Sequence, residues 1–413
     1  MSRRGQVRPK KARGRSLVGE RFEVLTERIA HGGFVVGRHE GRAVFVRHSV
    51  PGERVVAMVT EGHEDDRFLR ADAVAVVEAS PDRVVPPCPW AGPDRCGGCD
   101  FQHVALPAQR ALKGAVVAEQ LHRLAGIDVE VTVEALDGHE DGLGWRTRVQ
   151  WAVDPVGTVG LRKARSHDVV PVDRCRIAHP AIADAPASPG SAATGVEAIV
   201  SSTGETLHLV TEADGRVVGD APAVLHEEVA GRVFEVTGSG FWQVHPAAAR
   251  TLVAAVLDGL EPAAGERAAD LYSGVGLFSA ALAERVGPTG HVVAVEGDSA
   301  AVGDAAGNLA ALRQVAVVAD RVDRALASGS LGSRDLVVLD PPRTGAKRPV
   351  VDGIVELGPR AVAYVACDPA ALARDVASFA EHGYLLDSLR AFDLFPMTQH
   401  VECVAILSPR RVS

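Results

Sequence analysis

The hydrophobic pattern divides the chain into three stretches. Residues 17–78 carry short alternating runs at 42–47, 54–60 and 71–79, separated by Gly, Pro or acidic turns. Alternation with period two marks half-buried strands, and strands this short with turns this frequent predict a small all-β barrel. Residues 79–245 hold an amphipathic helical pattern over 107–125 and strand patterns at 145–153, 158–162 and 207–211, and read as a central α+β domain. The helix is equally able to pack on the C-terminal part as a discontinuous segment. The Ala-, Ser- and Pro-rich stretch 180–195 reads as a loop. From 246 to 413, apolar runs that end near 271, 296, 320, 340 and 366 alternate with helical patterns, which predicts a parallel sheet covered on both faces. The rhythm breaks at the end. Runs at 385–395 and 401–407 are joined by a stretch too short for a crossover helix, so they are expected to pair antiparallel.

Length and charge narrow the class. With 413 residues, 46% of them apolar, the chain can bury more than one core and is expected to form two or three domains. No apolar run approaches the roughly 20 residues that span a bilayer, which excludes a helical membrane protein. The formal charge of −9 is unlike that of a uniformly basic nucleic-acid binder. Residues 1–16, however, hold seven Arg or Lys and no acid, and read as a disordered basic tail that either reaches phosphates or is simply solvated. Arg146, Arg148, Arg162, Lys163 and Arg165 are further candidates for a basic sheet surface.

Candidate chemistry sits at the strand ends. Asp270-Leu271-Tyr272-Ser273-Gly274-Val275-Gly276 runs from an apolar strand through a glycine turn into a helix. A dinucleotide fingerprint would place a third glycine where Ser279 stands, so the turn suits S-adenosylmethionine better. Glu296 ends the next strand, where a carboxylate can accept from both ribose hydroxyls. Asp320 and Asp340 end later ones, toward the adenine and the reactive centre. Read blandly, these acids are helix caps. Cys367 follows the strand 361–366 at the crevice end of such a sheet. As a thiolate it could add to carbon 6 of uracil and make carbon 5 nucleophilic; Glu402 is the candidate base for the proton on carbon 5. Cys403 faces away from Glu402 on the same strand and reads as a buried hydrophobe, the ordinary fate of a free cysteine. Phe241 is a candidate stacking face for a base, or core.

Cys88, Cys96, Cys99 and Cys175 make a complete set of four thiols. Three in one Gly/Pro-rich loop with a distant fourth fits a 4Fe-4S cluster or tetrahedral zinc, and the spacing alone does not choose. Without a secretory signal, disulfides are a poor alternative.

Taken together, Phe241-Trp242-Gln243, the glycine turn, Asp340-Pro341-Pro342-Arg343-Thr344-Gly345, the segment 364–375 and His400-Val401-Glu402 resemble the S-adenosylmethionine-dependent RNA (uracil-5-)-methyltransferases over nearly the whole chain. That resemblance implies a Rossmann-like class I methyltransferase domain at 246–413, a TRAM-like, OB-like barrel at 17–78 and a central α+β iron–sulfur domain at 79–245. It implies Cys367 as nucleophile and Glu402 as base, with Gln243, Tyr272, Glu296, Asp340 and, less directly, Asp320 on the cofactor. It also favours 4Fe-4S over zinc on Cys88, Cys96, Cys99 and Cys175, although the first loop has seven residues where relatives often have five. Asp368, where relatives often carry Asn, and Leu277, where a polar residue often stands, depart from the pattern. The partner implied is RNA, 23S ribosomal ahead of transfer RNA, for a cytoplasmic monomer. The alternatives are a transfer RNA uridine-54 enzyme, an RNA cytosine-5 methyltransferase and a catalytically inactive iron–sulfur RNA-binding protein.

Overall fold

The computed structural model describes residues 14–187, 190, 192–219, 224–238 and 240–410. Positions 1–13 of the expected basic tail lie outside the described residues. Its last residues are built into the first unit: Arg15 pairs with Glu20 and Glu64, and Ser16 bridges to His63. The described residues form two compact units. One comprises those up to Pro86 with His103–Ala105; the other comprises Pro87–Gln102 with Leu106 onward.

In the first unit, alternation feeds every second side chain of β1 (Arg21–Ala30), β2 (Phe34–His39), β3 (Arg42–Arg47), β4 (Arg54–Glu61) and β5 (Phe68–Glu78) into one core. Val24, Val44, Val46, Val55, Ala57 and Leu69 fill it, and the order β1-β2-β3-β5-β4 closes on itself. Closure leaves no sheet edge exposed.

The second unit begins its regular structure with α1 (Leu106–Ala125) and β6 (Val133–Glu134). A six-stranded sheet follows: β7 (Arg148–Val153), β8 (Val159–Arg162), β9 (Val169–Val170), β10 (Ala193–Val200), β11 (Thr206–Glu212) and β12 (Val217–Gly219). The stretch read as a loop at 180–195 thus contains a turn of 3-10 helix, Pro180–Ile182, and the start of β10. A ribbon of β13 (Val224–Val229) and β14 (Arg232–Thr237) comes next.

The remaining elements are α2 (Ala248–Leu260), β15 (Arg267–Leu271), α3 (Leu277–Val286), β16 (His291–Glu296), α4 (Ser299–Leu309), β17 (Val315–Ala319) and α5 (Val322–Ala327). They are completed by β18 (Leu336–Leu339), α6 (Arg348–Glu356), β19 (Ala361–Ala366), α7 (Pro369–Glu381), β20 (Tyr384–Phe392) and β21 (Glu402–Pro409). Their sheet has the order β17-β16-β15-β18-β19-β21-β20-β6. It is parallel except for β21, which runs antiparallel to both β19 and β20. Each parallel strand is apolar on both faces because each face has a core. Leu271, Val295, Leu339 and Tyr364 pack with α5, α6 and α7, whereas Ala268, Val292, Val338 and Val365 pack with α2 and α3.

The helix at 106–125 belongs to this large sheet. Its Val117 and Leu121 join the core beneath α7, and β6 pairs in parallel with β20 at the sheet edge. Residues 79–245 therefore do not pack as one contiguous domain, because the apolar stripe of α1 finds its cover on the C-terminal helices. Gly114 makes that approach possible, since a Cβ there would stand 2.3 Å from the carbonyl oxygen of Val131. Ala is favoured over Gly by about 1 kcal/mol inside a helix, and an overpacked contact costs about 1–3 kcal/mol. Gly114→Ala is therefore expected to destabilise the protein, read as a fall in the thermal midpoint; a rise would show that α1 yields without strain.

Candidate active site

Strands β15, β16 and β17 run outward from the middle of the sheet in one direction, and β18 and β19 in the other. The order reverses between β15 and β18, which opens a crevice at the C-terminal strand ends. The glycine turn lies there. Tyr272 (φ 63°) and Gly276 (φ 93°) are left-handed, and a Cβ on Gly276 would meet Leu309 at 2.8 Å. Tyr272 holds that conformation at a cost of about 1 kcal/mol or more. Glu296 ties the turn to α4: its carboxylate accepts from the amides of Gly274 (2.9 Å), Gly297 (2.7 Å) and Asp298 (2.8 Å).

A cavity of about 850 Å³ occupies the crevice. Gln243, Tyr272, Glu296, Asp340, Cys367 and Glu402 all line it. Asp320 does not; its carboxylate accepts from the Arg321 amide at 2.8 Å. Cys367 and Glu402 are brought together by the end of the β19–β21 ladder. Its last pair is Ala366 and Cys403, Cys367 follows the first and Glu402 precedes the second, and both line the cavity. Cys403 is fully buried in the core.

Burial governs the charges here. Asp270, wholly buried, accepts from the Ser279 hydroxyl at 2.6 Å and leaves its other oxygen without a partner; burial pushes it up to about 7. Asp340 is likewise raised to about 7, by burial first and then by Asp270. Glu402 lies well above the usual carboxylate range for the same reason, with Asp340 adding and Arg343 opposing. Cys367 is pushed up to about 12 by burial, then by Glu402 and Asp340, again against Arg343. Burial thus favours the thiol of Cys367 and the neutral form of Glu402.

The loop that carries Arg343 is pinned from behind. The Asp375 carboxylate accepts from the amides of Ala346 (2.7 Å) and Lys347 (3.2 Å) and from the Tyr364 hydroxyl (2.7 Å). Arg343, Arg146 and His400 line the cavity; Arg146 was read on sequence only as part of a basic surface, and Arg343 only as part of a motif. His400 was legible only as a neighbour of Glu402; burial, then Arg343 and Lys113, push it down to about 4 and keep it neutral. Arg148, grouped with Arg146 on sequence, is instead directed to Glu197 and to the Gly238 carbonyl. Lys163 pairs with Asp94. Phe241 is 68% exposed at the cavity, not core. The two departures also have structural roles. Asp368 caps α7 by accepting from the Ala371 amide at 2.8 Å, as Asn would. Leu277 is buried beside Val275 and Leu309.

Cys88, Cys96, Cys99 and Cys175 are free thiols that influence one another, and Cys96 is raised to about 11 by burial first, then by Cys175 and Cys88. Cys96 and Cys99 also accept sulfur hydrogen bonds, from the Gly98 amide and the Gln102 side chain, both at 3.4 Å. Among the described residues, no three His, Cys, Asp or Glu side chains are arranged to hold a metal ion. The expected ligand set is thus present as donor chemistry, and not as a closed coordination shell.

Comparisons with known proteins bear on the same regions. Residues 15–74 match the TRAM domain and residues 192–410 match tRNA (Uracil-5-)-methyltransferase. An uncharacterized RNA methyltransferase of Streptomyces avermitilis is 49% identical across 95% of this chain and 99% of its own. The 23S rRNA (uracil(1939)-C(5))-methyltransferase RlmD of Alkalilimnicola ehrlichii is 32% identical across 95% and 98%. Among solved structures, the Pyrococcus abyssi tRNA (uracil-54, C5)-methyltransferase in complex with S-adenosyl-L-homocysteine superposes with a TM-score of 0.69 over 94% of this chain and all of that one. At 22% identity that likeness speaks to the fold, a class I methyltransferase domain with a small N-terminal barrel. No described helix is long and apolar enough to cross a membrane. With the reversed sheet order, the glycine turn and the antiparallel β21 all in place, these matches make the chain a member of the tRNA (Uracil-5-)-methyltransferase family, the RNA (uracil-5-)-methyltransferases.

Proposed function

We propose that this protein methylates carbon 5 of a uridine in 23S ribosomal RNA through a covalent bond between Cys367 and carbon 6. The observation that carries this reading is the one cavity that Cys367, Glu402 and Asp340 line together at the end of the β19–β21 ladder. The 32% identical relative named for a 23S rRNA position supports the substrate. Transfer RNA is the second reading, favoured by the name of the Pyrococcus abyssi protein.

S-adenosyl-L-methionine, when bound, supplies an electrophilic methyl group on a sulfonium. Gln243, Tyr272, Glu296 and Asp340 are the residues proposed to hold it; Asp320 stands aside from the lining and is a weaker candidate. Asp340 and Glu402, both raised by burial, ionise most readily opposite such a cation. The Cys367 thiol gives its proton to solvent and the thiolate sulfur bonds to carbon 6; the displaced π electrons let carbon 5 take the methyl as the methyl's bond to the cofactor sulfur breaks. Glu402 then removes the proton from carbon 5, and the carbon 6–sulfur bond breaks to restore the double bond. A stacked base cannot reach Cys367, so it is extruded at a cost of a few kcal/mol. Phe241, exposed at the cavity, is the proposed stacking face for it.

We also infer that Cys88, Cys96, Cys99 and Cys175 bind a 4Fe-4S cluster. Four thiols that act on one another electrostatically, two of them accepting N–H···S bonds, support it, and metal binding itself supplies the convergence that free thiols lack. Anaerobically purified protein is expected to carry four iron and four sulfide per chain; one zinc and no sulfide would replace the cluster with a zinc site.

Transfer of tritiated methyl to separated ribosomal and transfer RNA from cells lacking the enzyme is expected to label 5-methyluridine in 23S RNA. Label in 5-methylcytidine would overturn the reaction, and label in transfer RNA alone would select the second substrate. Cys367→Ala is expected to abolish transfer, while Glu402→Gln leaves a denaturant-stable RNA adduct. Because only the thiolate alkylates, iodoacetamide is expected to modify Cys367 slowly at pH 7 and faster as pH rises toward 12. Glu402→Gln removes a carboxylate that raises the thiol, so at pH 9 it should speed alkylation by up to about tenfold per pKa unit relieved. Peptide mass spectrometry at Cys367 reads the rate, and unchanged rates would uncouple the two side chains.

A further inference from the structure

The connection from β20 to β21 carries His400 to Glu402, and at its centre Met397 is buried with a left-handed backbone (φ 66°). A β-hairpin loop of ordinary sequence would sit on the surface. Here every polar backbone group of Met397 is taken by a distant segment. Its amide donates to Gln109 Oε1 (2.9 Å), and its carbonyl accepts from the amides of Asp100 (3.0 Å) and Phe101 (2.9 Å). Next to it, the Gln399 amide donates to Asp100 Oδ2 (3.1 Å).

Gln109 and Lys113 stand one turn apart on α1, and both are essentially unexposed. Gln109 Nε2 also donates to the Phe101 carbonyl at 3.0 Å and to Met397 Sδ at 3.3 Å. Lys113 Nζ donates to Asp393 at 2.5 Å and to the Phe395 carbonyl at 3.0 Å. Buried polar groups cost free energy even when satisfied, and apolar residues would pack the same face of α1 at lower cost. What these two supply instead is position, a fixed place for the 393–400 backbone, two to nine residues ahead of the Glu402 carboxylate in the chain.

We propose that α1 and the end of the cysteine loop clamp Met397 and thereby set the position of Glu402, which makes Gln109 a positioning residue for removal of the carbon 5 proton. The inference rests on the reading of Cys367 and Glu402 above. Loosening the clamp slows the step that Glu402 performs, after the methyl has arrived and before sulfur leaves. The methylated Cys367 adduct then accumulates, which a merely structural defect does not produce.

The test uses the full chain with Gln109→Leu, matched in volume, and Gln109→Glu, which keeps the acceptor for the Met397 amide. Turnover of tritiated methyl, denaturant-stable adduct and S-adenosyl-L-homocysteine affinity are measured for both beside Glu402→Gln. Gln109→Leu is expected to lose roughly ten- to hundredfold in kcat, to keep its affinity for S-adenosyl-L-homocysteine within about twofold and to build up methylated adduct. Gln109→Glu is expected to lose less. Turnover that falls without adduct, or that is unchanged, or that falls equally in both variants, overturns the clamp. If Glu402→Gln itself traps no adduct, it is the reading of Glu402 as the base that fails.

Discussion

One antiparallel strand decides what this sheet can do. Were β21 parallel, a crossover helix would separate it from β20, and Glu402 would not enter the sheet at the crevice end beside Cys367. Inserting it antiparallel between β19 and β20 brings the start of one strand against the end of another, on the crevice side where the parallel strands finish. The glycine turn, Glu296 and Asp340 reach the same crevice by the ordinary logic of a parallel sheet. The meeting of the two logics puts a sulfur, a carboxyl group and a cofactor-sized cavity together.

That meeting carries an electrostatic cost. Asp270, Asp340 and Glu402 are crowded in a space where burial favours the neutral acid, so each holds its proton above its ordinary range. Groups whose folded pKa is raised contribute stability below the unfolded pKa and lose it as pH rises through the folded one. For Asp270 and Asp340 that window runs from the ordinary carboxylate range up to about 7. A cationic ligand reverses the balance, since it favours the ionised forms. The apolar layers on both faces of the sheet are what offset the burden in its absence.

The sequence made the C-terminal strands legible because each is a bare apolar run ended by an acid or a cysteine. Cys367 and Glu402 were legible as chemistry, and their adjacency followed from the missing crossover helix. Much else was not. β1 escaped because its outward positions, Arg21, Glu23, Glu27 and Arg28, are charged and dilute the apolar signal. β6 is two residues long and exists only because β20 offers an edge. Met397 and Gln109 are invisible to periodicity, since a polar residue on an apolar helical stripe reads as noise until its partner 288 residues away is known. Asp320 follows the same strand-end rhythm, but its carboxylate accepts from the Arg321 amide and stands aside from the cavity lining.

The pairing of Lys113 with Asp393 also bears on the order in which the chain can fold. Lys113 is sealed in the protein interior, and its counter-charge lies 280 residues further along. During synthesis α1 emerges long before residue 393, so for most of that time it has an ammonium group with no partner and no dry place to go. The helix is therefore expected to dock late, with the edge of the large sheet open until the final hairpin is made. A chain cut short before that hairpin would expose both an uncovered helix stripe and an unpaired strand edge, the surfaces on which quality control acts.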